Sequence, residues 1–264
     1  MESRNPVFGR SEQFARGPHA SFDTRTPSAG DLQDMYSAPS ATSADTGRMT
    51  IDDVVMRSAS LLAVLLVTAV ATFSLIEPRQ FGWVIGAALA GFVLSLVITF
   101  SKTIRPPLML TYAAIEGVFV GGISKAFNDQ YQGIVVQAVF GTVVTFAVML
   151  ALYRFKVIRA TPKFQRIVLI AGAAYLVFSL INLAVYVFAG NSVYQVSGLG
   201  MLVSAFGVGL AALYLVLDFD YIDQGIRNGL PERYAWTAAF GLTVTLVWLY
   251  IEILRLISIL RGDN

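Results

Sequence analysis

The chain has 264 residues, 56% of them hydrophobic and only 14% charged, where a soluble domain carries about 25% charged residues, so the composition is that of a membrane protein. Nineteen Lys and Arg against 17 Asp and Glu leave a formal charge of +2, a balance that argues against a nucleic-acid partner. There is no cysteine, and the single histidine, His19, lies in a polar N-terminal stretch, which argues against disulfides, thiolate or zinc sites and histidine-dependent catalysis within the membrane.

Residues 1–50 are rich in Ser, Gly, Pro, Asp and Arg without helical or strand period, and are expected to be a disordered tail. Thr50 followed by Asp52 and Asp53 is a helix start signal and opens a domain running from 51 to 264. Seven apolar runs follow, at about 56–76, 81–100, 108–127, 134–153, 167–189, 199–222 and 235–260. Each reaches the ~20 residues that a hydrocarbon core of about 30 Å requires, so the fold class is an all-α polytopic membrane protein. Glu77–Gln80 reads as a short turn, and Pro106 and Pro107 as a break before the third run. Gly82, Gly86 and Ala90 recur every four residues in the second run, a spacing that predicts a face for close helix contact. Trp83, Trp236 and Trp248 are read as interfacial anchors or packing residues.

With the N-terminus cytoplasmic, the inner loops hold nine basic residues, Lys102, Arg105, Arg154, Lys156, Arg159, Lys163, Arg166, Arg227 and Arg233, against Arg79 and Lys125 outside. That bias sets the orientation. Four acidic residues then matter, because a carboxylate within a spanning helix is costly and marks a bundle interior or a water-filled path. At 1.5 Å per residue, Asp218 lies about 28 Å along the sixth run, near the inner interface; Glu116 lies about 12 Å into the third; Glu252 lies about 25 Å into the seventh. These carboxylates are expected to be stepped across the membrane. Asp218 and Asp220 are 200° apart on a helix and face different neighbours, whereas Asp220 and Asp223 share a face. Asp223 is expected in a solvated loop. Glu116 calls for a hydrogen bond across helices, to Asn182 or to a hydroxyl, and Glu252 has the i,i+3 spacing for an ion pair with Arg255.

The last fifty residues resemble the transmembrane Bax inhibitor motif family. LDFDYIDQGI at 217–226 precedes a Gly-containing loop, and Tyr234 and Trp236 open a final helix ending EILRLISIL at 252–260. YAAIEGVFVGGIS at 112–124 has the Glu-Gly and small-residue pattern of bacterial members, and Arg4–Phe8 is similar to the leader of an actinobacterial branch. The resemblance covers about 51–260. It implies that the last helix is central among the other six. It also implies a calcium leak regulated by pH through aspartates on the sixth and seventh helices, in a bacterial plasma membrane. Asp218 or Asp220 matches the first aspartate. Near Thr243–Thr245 the last helix has no carboxylate, and Glu252 lies about two turns on; an arginine of the second helix in some members has no counterpart in 81–100.

The function classes are thus a cation conduit, with Asp218, Asp220, Glu116 and Glu252 as candidate pathway or pH-sensing residues, and a non-conducting regulator of other membrane proteins. Catalysis is not expected, since the chain has Leu-Asp-Phe-Asp rather than the Gly-x-Gly-Asp of intramembrane aspartyl proteases and no intramembrane histidine. No cofactor and no resident metal are expected. The expected partners are the lipid bilayer and transiently bound calcium or other cations.

Overall fold

The computed structural model describes residues 47–76, 81–190 and 198–262. The chain divides into Met1–Thr42, outside the described residues, and a helical unit, Ser43–Asn264. The tail up to residue 46, the turn at 77–80 and most of the polar loop before the sixth run also lie outside the described residues. Seven helices follow one another among those described: α1 (Ile51–Leu75), α2 (Phe81–Phe100), α3 (Pro106–Gln130), α4 (Ile134–Arg154), α5 (Pro162–Ala189), α6 (Leu199–Arg227) and α7 (Tyr234–Gly262). All seven are long and apolar enough to cross a membrane. Their outward faces carry large apolar side chains, such as Trp83, Phe100, Val139 and Leu202, which suit hydrocarbon rather than water.

The last helix is the axis of the fold. α7 packs against α6, α1, α4 and α3, and its buried residues recur all round it, from Ala235 and Phe240 through Leu249 to Leu254 and Ser258. A helix buried on every side is expected to carry apolar and small residues throughout, and α7 does so until Glu252. By contrast, α2 touches α3 and buries only one stripe, Val84, Gly91 and Ile98, residues spaced by seven.

That stripe corrects one expectation. Gly82 and Gly86 face open space, with nothing within 4 Å of a Cβ built on either. They lie two residues from Val84, about 200° around the helix, on the side away from α3. The close approach is made by the glycines of α3 instead. A Cβ at Gly117 would fall on Thr68 and on the carbonyl of Leu65 in α1, one at Gly121 on the carbonyl of Ala69, and one at Gly122 on Val84 of α2. Leu65 and Ala69, four apart, thus meet Gly117 and Gly121, also four apart, in a small-residue contact of the kind that lets membrane helices approach backbone to backbone.

Residues 47–50, assigned to the tail by composition, belong to the folded unit. Met49 is 2% exposed and packs with Val54, Ala235 and Ala238. Its N–H donates to the Leu230 carbonyl at 2.8 Å, and Glu232 donates to the Gly47 carbonyl at 2.9 Å. Thr50 then caps α1 in a reciprocal box with Asp53, which satisfies two of the helix's free N-terminal donors. Arg57 bonds Asp53 at 3.0 Å, pairs with Glu232, and lies 5.8 Å over the Trp236 ring. Short apolar content hid this segment: one buried methionine does not make a periodic pattern.

Replacing Gly117 or Gly121 by Val should force α1 and α3 apart and lower stability by about 1–3 kcal/mol. Gly86→Val, on the outward face of α2, should leave the thermal midpoint of the detergent-solubilised protein near that of the parent. Equal midpoints for all three variants would show that the α1–α3 contact is not close-packed.

Candidate functional site

Polar groups in a helix bundle must find one another, and the carboxylates singled out by the sequence do so at three places. The first is the end of α6. This helix continues to Arg227, five residues beyond the predicted end, so Asp218 lies nine residues inside it, about 13 Å from its terminus. The carboxylate points at α7: its Oδ1 is 3.6 Å from a Cβ built on Gly241, and the Thr245 hydroxyl lies beside it. Its Oδ2 is buried and has no hydrogen-bond partner among the described residues.

Asp220 points the other way, as the 200° separation predicts, toward α4 and α5. It accepts from Gln165 Nε2 at 2.8 Å, from Gln224 one turn on at 2.5 Å, and from the Tyr153 hydroxyl at 3.5 Å. Asp223 accepts from the same Tyr153 hydroxyl at 3.3 Å and from Arg227 at 2.5 Å. The two carboxylates thus share a face and a phenol. Asp223 is not in a loop: the last turn of α6 holds it, paired i,i+4 with Arg227.

The second place is α3. Glu116 is partly buried, with the Tyr112 phenol of the preceding turn beside it and its Oε2 2.8 Å from a Cβ built on Gly91 of α2. The hydroxyl that the carboxyl calls for is supplied by its own helix. Glu116 and Asp218 lie at one level of the bundle. The Tyr112 ring is 5.0 Å from that of Phe240, while Asp218 is beside Gly241 and Thr245. The expected step between these two carboxylates is therefore absent.

The third place is Glu252 on α7, 3% exposed. Arg255 Nη1 reaches its two oxygens at 3.1 and 3.0 Å, and Trp248 Nε1 donates to it at 3.2 Å. The i,i+3 ion pair is present. On the α6 side there is a glycine because there is no room: a Cβ at Gly207 would lie 2.7 Å from Glu252 Oε2 and 2.5 Å from the Tyr175 phenol oxygen. Trp248 is a packing residue, its ring 5.8 Å from Tyr175 and 5.3 Å from Tyr214. Glu252 is seven residues from Thr245, about 10 Å along α7, so it stays apart from Asp218 as expected.

The family model described as Bax inhibitor 1 like matches residues 5–262. The chain belongs to the Bax inhibitor 1 like family. Comparison with curated proteins finds no significant match. Within this family member, the group that α7 presents to Asp218, where the resemblance led to an aspartate, is the hydroxyl of Thr245. Among the described residues no three acidic or histidine side chains stand close enough to hold a metal ion together. The chemistry on offer is carboxylate and hydroxyl oxygens set singly or in pairs, which can attract a passing cation more readily than retain one.

Sequence reasoning missed Tyr112, Tyr153, Gln165 and Thr245. Tyr112 had a signal, four residues before Glu116 on the same helix face. Tyr153 and Gln165 had none, since they reach α6 from 67 and 55 residues away.

Arg255→Met should leave the Glu252 carboxylate buried without its ion-pair partner and cost about 3–5 kcal/mol. Arg255→Met combined with Glu252→Gln should recover most of that loss in thermal unfolding, because no charge then remains to be paired. A double variant as unstable as the single would show that packing by the arginine stem, not charge pairing, is what matters.

Proposed function

We propose that this integral membrane protein is a cation conduit, a calcium leak whose rate depends on pH, with Asp218 as its principal gating carboxylate. One observation carries the reading: Asp218 stands inside a spanning helix against the central helix with a buried oxygen lacking a partner among the described residues. An intramembrane carboxylate is costly unless it serves a path for ions or protons. Asp220 and Asp223 stand nearer the end of α6, Glu116 at the level of Asp218, and Glu252 deeper. In this reading a cation meets the Tyr153 pair first, then Asp218. Thr245, rather than a second aspartate, completes the oxygen pair with Asp218, so a single proton on Asp218 switches its charge. The reading assigns no catalytic role to any residue.

The membrane is taken to be a bacterial plasma membrane, with the end that bears Lys102, Arg105 and the basic α4–α5 connection facing the cytoplasm, on the excess of basic residues there.

Asp218→Asn keeps the side-chain volume and removes the charge. A change of about 1.4 kcal/mol in how a cation is held at this position is a tenfold change in rate, so calcium flux in liposomes containing only this protein should change by on the order of tenfold. The variant's flux between about pH 5 and 8 should stay flat, at the value the parent reaches at the acid end. Flux unchanged by Asp218→Asn at every pH would overturn the gating role. No flux from the parent at any pH would leave a non-conducting regulator of other membrane proteins as the reading.

For the orientation, cysteines placed at Lys163 and Asp129 should react with impermeant thiol reagents from opposite faces, Lys163 from the cytoplasmic one. Reaction of both from one face would overturn the topology.

A further inference from the structure

Between α1 and α4, which α7 holds apart, a cleft of about 1600 Å³ opens. It is larger than the 300–1,000 Å³ of an ordinary small-molecule pocket. Its walls are apolar, with Leu66 and Phe73 from α1, Val139 and Val143 from α4, and Leu246 from α7 as the floor. Val139 and Val143 are 45% and 59% exposed. Its lining follows α4 from Val135 to Arg154, about 28 Å at the helical rise. One leaflet of hydrocarbon is about half of a 30 Å core, so an acyl chain fits lengthwise.

The cleft changes character at one end. There the lining is Arg154, Lys156, Arg159 and Arg227 against Asp220 and Asp223, four positive charges to two negative. Both aspartates are already engaged, Asp220 by Gln165 and Gln224 and Asp223 by Arg227. Arg154, Lys156 and Arg159 make no ion pair among the described residues. An apolar channel longer than one leaflet, open on its side toward the bilayer and ending in uncompensated cations, is complementary to one kind of molecule: an amphiphile with an anionic head.

We propose that the α1–α4 cleft binds a membrane lipid with an anionic phosphate headgroup, its acyl chain along Leu66, Val139 and Val143 and its phosphate against Arg154, Lys156 and Arg159. The phosphate gains charge-assisted hydrogen bonds from the guanidinium groups. The acyl chain fills space that neighbouring protein leaves open. The assignment does not rest on Asp218, and its test reads lipid retention rather than ion flux, although its mouth adjoins Asp220 and Asp223.

The test uses the full chain in nanodiscs, with spin-labelled phosphatidylglycerol or phosphatidylcholine as probes. The readout is the motionally restricted, slowly exchanging fraction. The parent should retain phosphatidylglycerol over phosphatidylcholine by about fivefold or more, the equivalent of about 1 kcal/mol for one basic residue near the surface. The combined Arg154→Gln, Lys156→Gln, Arg159→Gln variant should lose that preference, whereas Arg154→Lys with Arg159→Lys should keep it. Val143→Trp, on the lipid-facing wall, should remove the restricted fraction while the basic mouth stays intact, which separates a seated lipid from loose attraction to a basic surface. Equal retention of the two lipids by the parent would overturn the proposal. So would a restricted fraction that survives Val143→Trp, or displacement of the labelled lipid by inorganic phosphate alone.

Discussion

A carboxylate cannot be left bare in hydrocarbon, and the middle of this fold is built around one that is not. Glu252 sits on the most enclosed helix, 3% exposed. Two donors from its own helix, Arg255 and Trp248, hold it, while Gly207 gives up a side chain so that α6 can close over it. Remove Arg255 and α7 carries an unpaired charge into a place without water, where the penalty exceeds what most single contacts return. The antiparallel packing of α6 on α7 follows from that fit, and it places Asp218 opposite Gly241 and Thr245 eleven residues further along α6. The candidate gating residue is thus positioned by a polar cluster that takes no part in its chemistry.

Much of this was legible in the sequence, since hydrocarbon demands long apolar helices and these announce themselves. The seven helices fall close to the predicted runs, and the family assignment agrees with the residues that suggested it. What periodicity could not show was which side of a helix faces protein. In a soluble protein the apolar face is the buried one; here both faces are apolar, so Gly82 and Gly86 looked like contact residues although they face outward. Helix ends were also underestimated wherever they leave the apolar zone. α6 continues through Asp223 to Arg227 because its acids and its arginine pair along the helix, and hydropathy stops counting before they do.

The carboxylates were readable as costly residues, but their partners were not. Glu252 and Arg255 could be paired by spacing alone. Asp220, by contrast, is held by Gln165 from α5 and by Tyr153 from α4, and no local rule connects residues so far apart. The resemblance read from the sequence led to the expectation of a second aspartate on the last helix. At that place α7 offers Asp218 the hydroxyl of Thr245.

The clasp at the start of the first helix has a consequence for how the protein is made. Arg57 of α1 is bonded to Glu232, 175 residues later, and Met49 is covered by Ala235 and Ala238. The ribosome delivers the first helix long before the last, so α1 must wait in the membrane, its arginine paired only with Asp53 within its own first turn, until nearly the whole chain has emerged. Closure of the clasp is therefore a late step of assembly, and a chain cut short before residue 232 is left with its first helix uncapped by the last. Such a product lacks the contacts that fasten the start of α1 to the start of α7.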